Sequence, residues 1–317
     1  MTTSKCPICA SEALSTIYTI APDYITGSVF QVQKCNNCET AFTTPKPSDL
    51  SQFYPEKYRR YNPIILNVLK TLYNLRSAKW ANGFKSPGVV FEMGCGDGIM
   101  LYSMRRHGWK VFGNERTLGA AYFARHQLNI PIFVGELESL SPVPIADLII
   151  LFQVLEHLED PVKTLKQLNP LLKPNGKLII GVPNFGGWQA KIGGAKWLHL
   201  DVPRHLFHFS PQSLQYCLNE SGFAITQISY KSFEHDPYGW SQSILNLLFK
   251  QHNLLTRFLM RLDKPSLAII IHLVLAAVLG ILFLPISILS WLFQSGAILE
   301  VTAEKVKSEE QKPVSVL

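Results

Sequence analysis

From Val89 onward the chain alternates short apolar runs with segments whose apolar positions recur every three or four residues. Val89-Val90-Phe91, Val111-Phe112, Ile132-Phe133-Val134, the run from Ala146 to Phe152 and that from Lys177 to Val182 read as buried strands. Stretches at about 98–107 and 117–128, and another after Asp160-Pro161, read as helices. Strands alternating with helices predict a parallel sheet that takes ligand at the carboxyl ends of its strands. Ahead of this unit, residues 62–82 carry Ile65, Leu66, Leu69, Leu72, Leu75 and Trp80 broadly in helical spacing, and Ser86-Pro87-Gly88 then breaks the chain. Behind it, Ser266 through Phe293 holds no charged residue, a protonated His272 apart, and is long enough to cross a bilayer.

The first strand runs into Glu92-Met93-Gly94-Cys95-Gly96-Asp97-Gly98, and a helical pattern with Met100, Leu101 and Met104 follows. Glycines here let the backbone turn tightly and approach a ligand, while the helix start offers N–H groups. The dinucleotide pattern G-x-G-x-x-G would need a glycine where Ile99 stands. An acid two residues before the first glycine suits a ligand with an amine and a sulfonium, not a pyrophosphate. Glu115 closes the second strand, where a carboxylate can accept from both hydroxyls of a ribose.

These residues resemble motif I, E-x-G-C-G-x-G, of the class I S-adenosylmethionine-dependent methyltransferases. Two later segments are similar to the bacterial small-molecule branch of that family, the quinone and surface-glycan types. Gln153-Val154-Leu155-Glu156-His157-Leu158-Glu159-Asp160-Pro161 looks like its L-E-H-L-x-D-P segment. Asp201-Val202-Pro203-Arg204-His205, with Phe209-Ser210, looks like its D-x-P-R-H-x-x-x-F-S signature. The resemblance implies an α/β, Rossmann-like fold with a mostly parallel seven-stranded sheet, whose final antiparallel strand would be residues 296–303. It implies S-adenosylmethionine held by Glu92, Gly94, Cys95, Gly96, Gly98, Glu115, Arg116 and Gln153. Glu136 and Leu137 would meet the adenine, with Glu138 as the alternative to Glu136. His157 and His205 are the two candidate bases for a hydroxyl acceptor, a role imidazole fills near neutral pH. The stretch from Trp197 to Ser210 reads as a substrate-facing lid, with Asp201 and Arg204 as orienting groups. Its histidines lack the helical spacing of metal ligands, which argues against a metal there.

The six cysteines include two C-x-x-C pairs, Cys6/Cys9 and Cys35/Cys38. Their spacing is that of a four-cysteine zinc site, structural because four thiolates leave no open coordination position. The β-prone residues between them predict a hairpin too small to fold without such a staple. No secretory pattern opens the sequence, so a reducing compartment is expected and disulfides are the lesser reading. Tyr54, Tyr58 and Tyr61 form an aromatic, basic patch resembling the linker after such ribbons in bacterial methyltransferases. They would pack on the ribbon or line the substrate mouth.

Hydrophobic residues make up 47% of the 317, and the mean hydropathy of +0.11 is high for a wholly soluble enzyme. A net charge of +7 fits an anionic partner such as a membrane surface, although an ordinary basic surface gives the same number. Alone, the apolar segment reads as a transmembrane helix preceded by Lys250, Arg257, Arg261 and Lys264. If the final strand joins the sheet, however, the segment must leave and return on one side. That predicts a re-entrant or interfacial helical hairpin broken at Pro285, with a true crossing and a helix buried in a protein interface as the alternatives. The expected units are a zinc ribbon over 1–45, a linker and cap over 46–85, a donor-binding core over 86–242, a membrane-associated insertion over 243–295, the final strand, and a flexible tail over 304–317. The whole reads as a methyltransferase at the cytoplasmic face of a bacterial inner membrane. It would touch the surface through residues 243–293 and act on a small-molecule, lipid-like or glycan acceptor. A catalytically silent donor-binding scaffold is the rival. Nucleic-acid methylation is the weakest reading, since the sequence has neither an N-P-P-Y-type nor a catalytic-cysteine motif.

Overall fold

The computed structural model describes residues 4–54, 63–139 and 143–306, the side chains of 63–66, 120 and 138 excepted. Tyr58, Tyr61, the tail from 307, and the side chains of Ile65, Leu66 and Glu138 lie outside the described residues. Strands β1 (Leu14–Pro22), β2 (Val29–Cys35) and β3 (Ala41–Thr44) form an antiparallel ribbon, and α1 (Pro63–Ala81) leads to the larger unit. There follow β4 (Val89–Met93), α2 (Ile99–Arg106), β5 (Lys110–Glu115), α3 (Leu118–His126) and β6 (Ile132–Val134). Next come β7 (Ala146–Phe152), α4 (Pro161–Leu168), β8 (Leu172–Pro183), α5 (Trp188–Gly193), β9 (Phe207–His208), α6 (Pro211–Glu220) and β10 (Phe223–Ser229). The chain ends in α7 (Asp236–Leu248), α8 (Leu254–Leu259), α9 (Leu267–Leu292) and β11 (Ile298–Lys305).

The large sheet has seven strands in the order β10-β11-β8-β7-β4-β5-β6. Its strands from β6 to β8 are parallel, and β11 runs antiparallel between β8 and β10. Alternate residues serve opposite faces, so near-continuous apolar runs are what a sheet covered on both sides requires. Val90, Leu148, Ile150 and Ile179 pack with Trp80, Met100, Leu101, Met104 and Ala124. Their neighbours Phe91, Ile149, Leu178 and Ile180 pack with Leu165, Leu168, Leu214 and Leu218 on the other face. The second sheet is the ribbon extended by one strand from the core, in the order β1-β2-β3-β9.

The apolar segment departs from the expected hairpin. α9 is one continuous helix with Pro285 inside it. Proline removes one backbone hydrogen bond, but contacts on both sides hold the helix continuous through it. Phe283 stacks on Trp240 with ring centroids 5.1 Å apart, while Ser287, Ser290 and Trp291 are buried. Toward the other end, Phe249 meets His272 and Ser241 Oγ donates to the Ala276 carbonyl at 3.2 Å. One stripe of α9 therefore lies along α7, and the opposite stripe faces out, with Leu267, Ile281 and Leu292 exposed by 70% or more. Among the described residues, α9 is the one helix long and apolar enough to cross a membrane.

Asp236 locks the junction between α9 and β11. Its buried carboxylate accepts from Trp291 Nε1 at 2.8 Å, the Ala297 N–H at 2.9 Å and Gln189 Nε2 at 3.3 Å. Replacing it by alanine orphans the Trp291 and Ala297 donors at about 1–3 kcal/mol each where no water reaches, while Gln189 keeps the backbone carbonyl of residue 236 at 2.9 Å. Asp236→Ala is expected to lower the urea midpoint by an amount equivalent to about 3 kcal/mol at unchanged slope. A midpoint within experimental error of the parent's would show the junction to be held otherwise.

Candidate active site

The turn after β4 holds Gly94, Gly96 and Gly98 at φ of +65°, +51° and +71°. A Cβ on Gly94 would come within 2.7 Å of Val154, and one on Gly98 within 2.7 Å of Ala124. A Cβ on Gly96 would meet nothing within 4 Å among the described residues, so there the glycine answers to the backbone requirement. Glu115, at the end of β5, holds the turn from the side. Its Oε2 accepts the Gly96 N–H at 3.1 Å, and Oε1 accepts those of Arg116 and Thr117 at 2.8 and 3.2 Å.

Glu92 is buried beneath this turn, and its Oε2 has no hydrogen-bond partner among the described residues. Burial, then the charges of Asp97 and Glu115, hold its carboxyl well above the usual range. Burial likewise raises Asp97 and the Cys95 thiol. At the end of the adjacent β7, Gln153 sits at φ +58° with a buried Nε2 that has no partner among the described residues. A sheet edge with clustered carboxylates and buried polar atoms lacking partners among the described residues fits a polar, cationic ligand, and the sulfonium and ammonium of S-adenosylmethionine meet that description. Arg116 and Glu136 are exposed and pair with each other at 3.2 Å, while Leu137 is buried in a one-turn helix at 137–139. Asn114, which the motifs did not single out, holds the Gly135 turn through Nδ2 to its carbonyl at 2.8 Å.

The second half of the site follows β7. Leu155–His157 forms a single 3-10 turn that buries Glu156 and leaves His157 half-buried. His157 Nδ1 lies 2.9 Å from the Arg204 carbonyl, which can only accept, so Nδ1 carries the proton and Nε2 the lone pair. The Tyr54 hydroxyl is 3.2 Å from the same nitrogen. His205 is buried, its Nδ1 2.9 Å from the His199 carbonyl and its Nε2 3.8 Å from Asp201 and 4.0 Å from Glu156. The two imidazoles meet edge to face at 4.6 Å between centroids. Glu156, His157 and His205 thus gather potential ligand atoms within 4.8 Å of one another, through tertiary contact and not through helical spacing.

The stretch expected to be a lid is a packed wall: Trp197, Leu200, Val202, Arg204, Phe207 and Phe209 are all buried. Arg204 explains why it does not swing. Its guanidinium meets Asp23 at 2.8 Å, Asp201 at 2.7 Å, the Phe53 carbonyl at 3.0 Å and the Tyr24 ring at 4.5 Å.

In the ribbon, Cys6, Cys9, Cys35 and Cys38 bring their sulfurs within 4.8 Å of one another, with the closest pairs at 3.5 Å. Tetrahedral zinc with four bonds of about 2.3 Å needs sulfurs about 3.8 Å apart. The N–H groups of Ile8 and Asn37 point at Cys6 and Cys35 sulfur at 3.4 Å, as suits thiolate acceptors. The four residues fit zinc.

A model of the Methyltransferase domain family matches residues 58–228, just over half of the chain. A ubiquinone biosynthesis O-methyltransferase of Histophilus somni is 27% identical over 169 residues, spanning 45% of this chain and 70% of that protein. One from Coxiella burnetii is 30% identical over 123 residues, 36% of this chain and 53% of that relative. A crystal structure of a SAM-dependent methyltransferase from Archaeoglobus fulgidus aligns with a TM-score of 0.48 at 18% identity, covering 74% of this chain and 94% of that one.

The carboxylate cluster makes a prediction about protons. A cation bound beside Glu92 lowers a carboxyl held high in the free protein, so binding releases a proton and tightens as pH rises toward that free-state value. Calorimetry of S-adenosylmethionine binding in buffers of different ionisation enthalpy should read this release. Glu92→Gln should abolish it and weaken binding about tenfold, an effect of about 1.4 kcal/mol. Wild-type binding without proton release would remove Glu92 from the donor contact.

Proposed function

We propose, from the premise that this chain belongs to the class I S-adenosylmethionine-dependent methyltransferases, that it O-methylates a lipid-like small molecule at a membrane surface. The observation that carries the reading is the placement of two differently equipped loops on one edge of the sheet. The loops after β4 and β5 supply the acidic, glycine-built donor cradle, and the loop after β7 supplies His157 with its proton fixed on Nδ1.

The donor supplies a methyl group already activated on sulfur, so the protein's work is alignment and proton removal. Glu92, Gly94, Cys95, Gly96, Gly98 and Gln153 would hold the amino-acid end, and Glu115 and Arg116 the ribose side. Glu136 and the backbone at Leu137 would edge the adenine. His157 would take the acceptor hydroxyl's proton at Nε2, its ring held by the Arg204 carbonyl. His205 is buried behind it and stands as the second choice. The ribbon cysteines would bind structural zinc.

The relatives' names specify O-methylation in ubiquinone biosynthesis. Carried over to this chain, that favours an amphiphilic acceptor, and α9 supplies a reason for membrane residence. Its 26 residues make about 39 Å of helix, attached to α7 along its length with an apolar stripe outward. A helix so attached lies in the plane of one leaflet, with Lys250, Arg261 and Lys264 exposed nearby for acidic headgroups. We place it at the cytoplasmic face of a bacterial inner membrane. Protease treatment of sealed vesicles should cut or spare the catalytic unit and the C-terminal tail together; cleavage of one alone would mean a crossing.

His157→Ala should lower turnover about 100-fold with donor affinity unchanged. Unchanged turnover would pass the role to His205. Incubating a host-cell extract with methyl-labelled donor should put label in the organic phase. Label in the aqueous phase would replace the lipid-like acceptor by a glycan or nucleotide-sugar, and donor binding without any label would favour a scaffold.

A further inference from the structure

The ribbon is continuous with the loop that carries the histidines. β3 pairs with β9, matching Ala41 to His208 and Phe42 to Phe207. Thr43 extends this ladder: its N–H donates to the Leu206 carbonyl at 2.9 Å, and its Oγ1 donates to the His205 carbonyl at 2.7 Å. The Leu206 N–H then donates to the Glu156 carbonyl at 2.8 Å, beside His157. A second strut runs from Asp23, between β1 and β2, through buried Arg204, whose own carbonyl holds His157 Nδ1. Ribbon, His205 loop and His157 turn thus form one hydrogen-bonded stack.

We propose that the ribbon is a positioning element of the active site: its metal-held fold, acting through Thr43 and Arg204, sets where His157 and His205 stand. The geometry of the cysteines explains how a metal reaches so far. Cys35 and Cys38 bracket the turn between β2 and β3, and the Cys35 N–H donates to the Thr40 carbonyl at 2.9 Å. A metal at the four sulfurs therefore pins the start of β3, the strand on which Thr43 lies. A ribbon this small has no adequate core of its own, so loss of the metal releases β3. With β3 gone, the carbonyls of His205 and Leu206 lose their partners, and Arg204 keeps its charge buried without Asp23. The donor cradle on β4 and β5 shares none of these bonds. Metal loss or thiol oxidation should then disable proton removal and spare donor binding.

The inference rests on the reading of His157 as base, and its test separates the two. In full-length, zinc-loaded protein, Thr43→Val removes the hydroxyl at nearly constant shape, and Thr43→Ser keeps it. Valine should cut kcat about tenfold, equivalent to about 1.4 kcal/mol, shift the acidic limb of the pH–rate profile and leave S-adenosylmethionine affinity within about twofold. Serine should restore both kcat and the limb. Hydrogen exchange at the Leu206 amide should quicken in the valine variant and in protein stripped of zinc by a chelator. Wild-type exchange and an unshifted profile in Thr43→Val would overturn the proposal. The exchange readout does not depend on which residue is the base, so a failed His157→Ala prediction would leave it standing. Should stripping unfold the whole chain, Thr43→Val still decides the matter, because it is read with the metal in place.

Discussion

The sheet is completed by a strand from the far end of the chain, and that requirement governs much of the molecule. β11 fills the space between β8 and β10, where it satisfies backbone groups on both neighbours. Because it runs antiparallel to β8, it begins beside Pro183, at the carboxyl edge where the parallel strands present their loops. Whatever precedes β11 must end at that edge. The preceding element is α9, and Asp236 ties its last turn to the first residues leading into the strand. The apolar helix anchored at this end also packs along α7 through Phe283, His272 and Ala276, and turns its remaining face outward.

The same edge carries two contrasting electrostatic environments. On the β4–β5 side, three acids converge with little compensation, and burial keeps Glu92 and Asp97 reluctant to ionise. On the β7 side, the fully buried charge of Arg204 is matched by Asp23 and Asp201, and the histidines are oriented by backbone carbonyls. The first arrangement is poised for a positive ligand. The second fixes imidazole tautomers and changes little on its own. In the proposed reaction they would divide the labour of methyl transfer between holding a cation and holding a base.

Much of this was legible in the chain because it is written at short range. Strand and helix periods, the glycines that need positive φ, and the two C-x-x-C pairs each occupy a few consecutive residues, and each reappears in the structure. The return of the chain to the sheet followed from the family resemblance, and β11 bears it out. The hairpin at Pro285 did not, since a proline reports the bond it removes and not the packing of Phe283 and Trp291 that outweighs it. Nor did the lid: aromatics and charges in a loop look mobile until Arg204 is seen enclosed by Asp23, Asp201 and Tyr24.

By itself, then, the sequence determined the order of elements, the glycine turn, the four-cysteine cluster and the apolar character of α9. Only the tertiary structure decided that the ribbon shares a sheet with the histidine loop, that His157 is half-buried where His205 is buried, and that α9 lies against the body. The physical reason is one of range. Periodicity and backbone preference act between near neighbours, whereas Thr43 meets the His205 carbonyl across 162 positions, and a contact of that kind leaves no repeat in the sequence from which to read it.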